Sequence, residues 1–143
     1  MKDWIDIIKE FETIANNNPF VKKFGYGRKE NKQALFDSFD KQFPVLYINS
    51  DSFNYNKGAF VYNVTLDVFS ILKDSLEDAD KTISEANAIA IDVINTLYNL
   101  DLLTNDNVNI TPYHWEENTG ELIAGVTATL EIEVGNNNTN CNY

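Results

Sequence analysis

The sequence predicts an α+β domain in which two helices pack on a mainly antiparallel β-sheet of about four strands. Three observations carry this prediction. Two stretches space their apolar residues as amphipathic helices do, other stretches alternate or are β-branched like strands, and the order is helix, strands, helix, hairpin. The chain has 143 residues, so we expect one such domain over residues 1–135. Residues 136–143 are predicted to form a disordered polar tail.

The first helix is predicted from a stripe of apolar residues spaced three, four and seven apart: Trp4, Ile7, Ile8, Phe11, Ile14 and Ala15. Three asparagines followed by Pro19 end this helix, because proline cannot continue its hydrogen bonding. Gly25-Tyr26-Gly27 then indicates a turn or a close approach of the chain.

The central part of the chain is predicted to contain two strands joined by a polar loop. Phe43–Ile48 is β-branched and aromatic, and residues 60–69 alternate apolar and polar side chains. Between them, the polar stretch Asn49–Gly58 is predicted to be a loop that holds Phe53 and Tyr55.

The second half is predicted to be a helix followed by a long hairpin. The helix is expected over Thr82–Leu100, and Thr82 and Glu85 have the spacing of a capping box. Val108–Trp115 and the alternating Leu122–Val134 are expected to pair with each other.

The composition excludes several functional classes. Acidic residues outnumber lysine and arginine by 22 to 11, which gives a formal charge of −11. Proteins that bind nucleic acid or anionic membranes neutralise phosphates with basic side chains, so we expect neither activity here. No apolar run approaches the roughly 20 residues that span a bilayer, and we expect no secretory signal. Cys141 is the single cysteine, so no intrachain disulfide is expected.

Catalytic and cofactor motifs are not evident in the sequence. His114 is the one histidine, and we interpret it as an ordinary strand residue, since a metal site needs further ligands at set spacing. A glycine-rich phosphate loop, a nucleophile elbow and paired cysteines are missing. We therefore expect no enzyme activity, no metal and no cofactor.

Charge placement along the chain is uneven. All 11 lysines and arginines lie at or before Lys81, five of them between Lys22 and Lys32, whereas nine acidic residues follow Thr82. One interpretation is an ordinary solvated acidic surface. The other is a molecule with opposite charges on two patches, which can assemble head to tail and close into a ring.

The closing hairpin carries a family resemblance. Residues 118–126, Asn-Thr-Gly-Glu-Leu-Ile-Ala-Gly-Val, followed by the alternating Thr127–Val134, resemble the last hairpin of bacteriophage tail terminators and related neck or tail-completion proteins. The segments before this hairpin also occur in an order similar to that of the family. They are an N-terminal helix, Phe24–Gly27, Phe43–Ile48, the strand Tyr62–Phe69 and the helix around Asp92. The resemblance spans roughly Lys2–Val134 and depends on order and spacing. The turn departs from the family's usual aspartate, and the segment after Gly27 is unusually basic.

The resemblance implies a non-enzymatic virion component, assembled in the host cytoplasm as a ring, usually hexameric. Such a ring caps the tail tube, contacts the head connector and lets DNA pass without specific binding. Expected subunit or partner contacts are Lys22, Lys23, Tyr26, Arg28, Lys29, Lys32, Phe53 and Tyr55. Expected acidic residues of the channel are Glu116, Glu117, Glu121, Glu131 and Glu133, because basic side chains would retain phosphates.

Two other functions are compatible with the sequence. A small intracellular binding module, such as an immunity-type inhibitor or a DNA mimic, would share the acidic charge but would be a monomer with a basic partner. An enzyme acting through His114 and nearby carboxylates would lose its turnover when His114 is replaced. The aromatic residues Phe53 and Tyr55 could equally be buried within one subunit.

Overall fold

The computed structural model describes residues 3–27, 43–72, 79–116 and 122–134. These residues form two helices and five strands. In chain order they are α1 (Trp4–Asn17), β1 (Lys23–Gly27), β2 (Val45–Asn56), β3 (Ala59–Leu72), α2 (Ala79–Asn99), β4 (Ile110–Glu116) and β5 (Leu122–Val134). The predicted α+β class is confirmed, but the sheet has five strands rather than about four. The expected division into residues 1–135 and a tail stays a prediction, because residues 135–143 lie outside the described part.

The five strands form one mixed sheet in the order β1-β2-β3-β5-β4. β1 runs parallel to β2, and the three other neighbouring pairs are antiparallel. The longest ladder joins β3 to β5, from Phe60 opposite Val134 to Leu72 opposite Leu122. Pairing is thus mainly antiparallel, as expected, with β1 and β4 at the two edges.

α1 begins where the sequence places it. Asp3 is the N-cap, and its carboxylate accepts a hydrogen bond from the Asp6 backbone N–H at 2.9 Å. The Asp6 carboxylate accepts one in return from the Asp3 N–H at 3.1 Å. This reciprocal pair satisfies two donors of the first turn that have no partner within the helix. The predicted apolar stripe is confirmed, with Ile7, Phe11 and Ile14 buried.

Both helices pack on the same face of the sheet, which we call the helix face. The alternation of β3 and β5 directs every second side chain to this face. Its core is formed by side chains from both helices and from the central strands, among them Phe11, Ile48, Leu66, Leu97, Leu130 and Ile132. Removing this much apolar surface from water is the main stabilising contribution to the fold.

The other face of the sheet, which we call the second face, is apolar at one end and polar at the other. Val45, Tyr47, Phe69 and Ile123 form a buried cluster at the apolar end. Further along β2 and β3, the polar side chains of Asn49 and Asp67 are buried. From residue 51 onward, the described side chains of β2 are exposed.

Two expectations about the first half of the chain are wrong. Of the two alternatives for Gly25-Tyr26-Gly27, the turn is wrong: these residues lie in the strand β1, because a parallel neighbour supplies hydrogen bonds that the local sequence does not reveal. The predicted loop Asn49–Gly58 is also a strand as far as Asn56, and the turn is confined to Lys57 and Gly58. Pairing with β3 stabilises this polar segment in an extended conformation.

The second half agrees more closely with the prediction. The hairpin of β4 and β5 is confirmed, with Ile110 opposite Ala128 and Glu116 opposite Leu122. α2 begins at Ala79, three residues before the expected start, so Thr82 lies inside the helix. The predicted capping box of Thr82 and Glu85 is therefore wrong, since an N-cap residue must stand outside the first turn.

A buried phenol makes stability depend on pH. Burial raises the pKa of Tyr47 above its ordinary value of 10.0, and the negative charge of Asp67 raises it further. The folded state therefore keeps Tyr47 neutral at a pH where the unfolded state ionises it. This contribution is complete below about pH 10 and is lost as the pH rises towards the folded-state pKa.

We expect the urea midpoint of the protein to fall between about pH 9 and about pH 11, and to fall less in Tyr47→Phe. Tyr55→Phe is the matched control, because it removes a hydroxyl from an exposed tyrosine. If Tyr47→Phe loses stability with pH as steeply as the wild type, the phenol does not cause the alkaline transition.

Candidate assembly surfaces

The hairpin of β2 and β3 extends beyond β1. β1 pairs with β2 over Val45–Asn49 and ends there, whereas β2 continues to Asn56. We call the outer part of this hairpin, Ser52–Asn63, the arm. Its turn is formed by Lys57 and Gly58, whose φ angles of 45° and 90° are both positive. Two positive φ values characterise the tight turn whose twist matches that of paired strands. Along the arm, the outer edge of β2 has no strand partner among the described residues.

Polar side chains hold the base of the arm in place. A β-bulge at Asp51 shifts the register between β2 and β3. The Asp51 carboxylate accepts hydrogen bonds from the Asn49 amide at 2.9 Å and from the Thr65 hydroxyl at 2.5 Å. The Asn63 amide donates to the Ser52 hydroxyl at 2.9 Å. These bonds explain how a segment with so few apolar residues continues as a strand.

Aromatic side chains cover the helix face of the arm. The Phe53 ring lies edge-on to Tyr62, with 4.8 Å between the ring centres, and 5.4 Å from Trp4 at the start of α1. The Tyr55 and Phe60 rings are 4.9 Å apart. Phe53 is nevertheless 49% exposed and Tyr55 66% exposed. Each ring thus packs partly within the subunit and leaves a large apolar area in water.

Carboxylates lie beside this aromatic cluster. Burial raises the pKa of Tyr62, and the negative charges of Asp3 and Asp6 raise it further. The N-terminus of α1 therefore brings two acidic side chains close to the rings of the arm. An exposed aromatic surface with an acidic border is suited to contact with another protein.

The basic residues predicted at an interface are described in part. Lys22 is exposed, and its ammonium lies 3.4 Å from the Pro19 carbonyl oxygen. Lys23 is half-buried at the start of β1, and Tyr26 is 53% exposed with its ring 6.1 Å from Phe24. Three further predicted contact residues, Arg28, Lys29 and Lys32, lie outside the described residues.

The predicted interface residues do not form a single cluster. Tyr26 is opposite Ile48 on β2, and Phe53 stands five positions further along that strand. The two residues therefore stand at strand positions roughly 15 Å apart along the sheet. The structure thus shows two separate exposed regions, one at β1 and one on the arm.

Acidic residues of β5 point away from the helices. Glu131 and Glu133 are exposed, and they alternate with Leu130 and Ile132, which are buried on the helix face. The described part of the second face thus carries these two carboxylates. Among the other predicted acidic residues, Glu116 ends β4 but its side chain is not described, and Glu117 and Glu121 lie outside the described residues.

Sequence reasoning did not single out two further acidic residues of the second face, Asp51, which is exposed, and Asp67, which is buried. Asp67 stands opposite Thr127, and Asn63 opposite Glu131, so all four acidic residues belong to the second face of β2, β3 and β5. The alternation of apolar and polar residues in β3 could have placed Asp67 on this face. The position of Asp51 could not be predicted, because the sequence indicates neither the bulge nor the full length of β2.

Two other features are candidate sites of chemistry. His114 is exposed on β4 opposite Ala124. A groove of about 420 Å³ runs between α1 and α2; its floor includes Ile14 and Val93, and Glu10 and Asp92 are among the acidic and polar residues that border it. Among residues 3–27, 43–72, 79–116 and 122–134, no group of three or more acidic, histidine or cysteine side chains is arranged to hold a metal ion.

Comparisons with known proteins give no family for this chain. No protein-family model matches the sequence, and no curated protein is similar to it at a significant level. Within the described part of the chain, neither helix has the length and apolar character needed to cross a membrane.

Proposed function

We propose that this protein is a ring-forming structural component of a tailed-phage virion, a tail terminator or a neck protein that caps the tail tube. In this proposal, neighbouring subunits contact one another through exposed residues of β1 and of the arm. The ring contacts the tail tube on one side and the head connector on the other, and DNA passes through its centre.

The separation of charge supports the proposal best. The second face carries exposed Glu131 and Glu133 on β5, whereas Lys22 and Lys23 lie at β1, three strands away in the sheet. A channel for DNA needs a surface that repels phosphates, because bound phosphates would slow the passage. Opposite charges at separate positions on the molecule also favour head-to-tail contacts, and such contacts close into rings when the rotation between subunits permits it.

A binding assay with tail tubes tests this function. We expect the purified protein to add one ring to the end of tubes assembled from the tail-tube protein, and electron microscopy shows this ring directly. A protein that stays monomeric in the presence of tubes and binds a basic protein instead would contradict the proposal and would support the binding-module alternative.

Charge reversal at β1 is expected to prevent ring formation without unfolding the protein. Lys22→Glu combined with Lys23→Glu places negative charge on the basic surface, which then repels an acidic neighbour. Lys9→Glu combined with Lys81→Glu changes the net charge equally at exposed positions of the two helices. Electron microscopy of tubes mixed with each variant measures the fraction capped, and circular dichroism checks the fold. Normal capping by the first variant would remove β1 from the ring contact.

A further inference from the structure

We propose that the free edge of β2 on the arm pairs with the same edge of a second copy, antiparallel and about a two-fold axis at Asn54. The contact forms a dimer of the free protein. The dimer does not depend on the ring proposal, but it occupies the arm that the proposed ring also uses, so a given arm makes one contact or the other.

Among residues 3–27, 43–72, 79–116 and 122–134, no strand pairs with this edge. All residues from Asp51 to Tyr55 are exposed, and β1 ends opposite Asn49 before it reaches them. A strand edge with unused N–H and C=O groups is a template for another strand, and proteins usually protect such edges with charged residues or proline, with short strands or with β-bulges. The stretch Ser52–Asn56 contains none of these residues.

The other two edges of the sheet carry such protection. β4 contains Pro112, whose nitrogen cannot donate and is tolerated in a ladder when it faces away from the neighbouring strand. β1 is only five residues long and begins with Lys23. The arm carries a bulge at its base, at Asp51, but beyond it Ser52–Asn56 is the least protected edge segment among the described strands.

Hydrogen-bond geometry is compatible with this register. Asn56 and Ala59 flank the two-residue turn, so the Asn56 carbonyl faces β3. The main-chain N–H and C=O groups of successive residues point to opposite sides of a strand. Those of Asn54 therefore also face β3, while those of Phe53 and Tyr55 face outward. Pairing centred on Asn54 then places Phe53 opposite Tyr55 of the second copy, with their main-chain groups in position to bond.

The side chains are complementary in the same register. Phe53 and Tyr55 lie on one face of the strand, so the contact brings two aromatic cross-strand pairs together on the helix face. At each end of the paired segment, Asp51 of one copy approaches Lys57 of the other copy. The stretch between these charges is neutral, which reduces repulsion between two chains that each carry a charge of −11.

Charge substitution at Asn54 tests the dimer. Asn54 would stand directly opposite Asn54 of the second copy, with Cα atoms about 4.5 Å apart in a pair of this kind. We expect Asn54→Lys and Asn54→Asp each to raise the dimer Kd about fivefold or more, because like charges then meet on the axis. An equimolar mixture of the two variants is expected to regain dimers, since opposite charges meet in the mixed pair. Sedimentation equilibrium over a concentration series measures all three.

Matched controls separate this contact from other effects. Asn95→Lys and Asn95→Asp make the same changes at an exposed position of α2 and should dimerise like the wild type. A wild-type protein that stays monomeric, or Asn54 variants that dimerise normally or do not recover on mixing, would overturn the proposal. Tube capping is measured separately. Capping by a protein that forms no dimer contradicts the dimer alone, and a dimer that never caps tubes contradicts the proposed function alone.

Discussion

Gly125→Ala is expected to destabilise the folded protein by about 3 kcal/mol or more. Gly125 lies in β5 between two neighbours, opposite Phe69 on β3 and Tyr113 on β4. A Cβ at this position would stand 2.7 Å from both the Cα and the Cβ of Phe69, and would also collide with the Val68 carbonyl oxygen. Because the obstacles are mainly backbone atoms of a paired strand, a rotamer change cannot relieve them.

Urea denaturation followed by circular dichroism measures this effect as a lower midpoint. Thr129→Ala, at an exposed position of the same strand, should change the free energy of unfolding by no more than about 0.5 kcal/mol. The double variant Gly125→Ala with Phe69→Ala should not regain stability, since the Val68 carbonyl and the Cα of residue 69 stay in place. A wild-type midpoint for Gly125→Ala would show that β3 and β5 are further apart than the structure indicates.

The elements with a strong period were predictable from the sequence. α1, β3 and β5 each bury one side, so their apolar residues recur at the spacing of a helix or a strand. Gly125 belongs to the predicted closing hairpin, but its physical role depends on the backbone of Phe69, a residue far earlier in the chain. A local sequence pattern cannot predict this close approach of Gly125 to the backbone of Phe69.

The distal part of β2 and the whole of β1 were not predictable for a related reason. Glycines at Gly25 and Gly27 and polar residues after Ile48 favour turns locally, yet both segments gain main-chain hydrogen bonds from a neighbouring strand. The Asp51 bulge is stabilised by Thr65, a residue of β3. Strand preference depends on such neighbours more than helix preference does.

The candidate surfaces were partly predictable. Phe53 and Tyr55 stand out in the sequence as aromatic residues in a polar stretch, and the structure shows both of them exposed. Their packing near Trp4 and Phe60 required the tertiary structure, because α1 and β3 bring those rings to the arm. The exposure of β5 at residues 131 and 133 followed directly from the alternation of that strand, whose intervening residues are buried.

Glu131→Lys combined with Glu133→Lys is expected to reduce infectivity roughly a hundredfold or more while particles still assemble. In a ring of six copies, the number that the family resemblance implies, the variant would present about twelve lysines to DNA, and proteins that contact fewer phosphates already bind DNA tightly. Both residues are exposed on the second face, away from the helix core, so the fold should tolerate the change. In the proposed ring, the wild-type carboxylates would instead repel phosphates and leave the DNA free to move.

The comparison of particle number with plaque number measures this effect, because electron microscopy counts assembled virions and plaques count those that deliver DNA. Glu12→Lys combined with Glu85→Lys is the matched control, since it makes the same charge change at exposed positions of α1 and α2. The defect should also diminish when ejection is triggered at high salt, which weakens lysine–phosphate contacts. Equal infectivity of the two variants would place Glu131 and Glu133 away from the DNA path, because a channel lined by these positions cannot be indifferent to the sign of their charge.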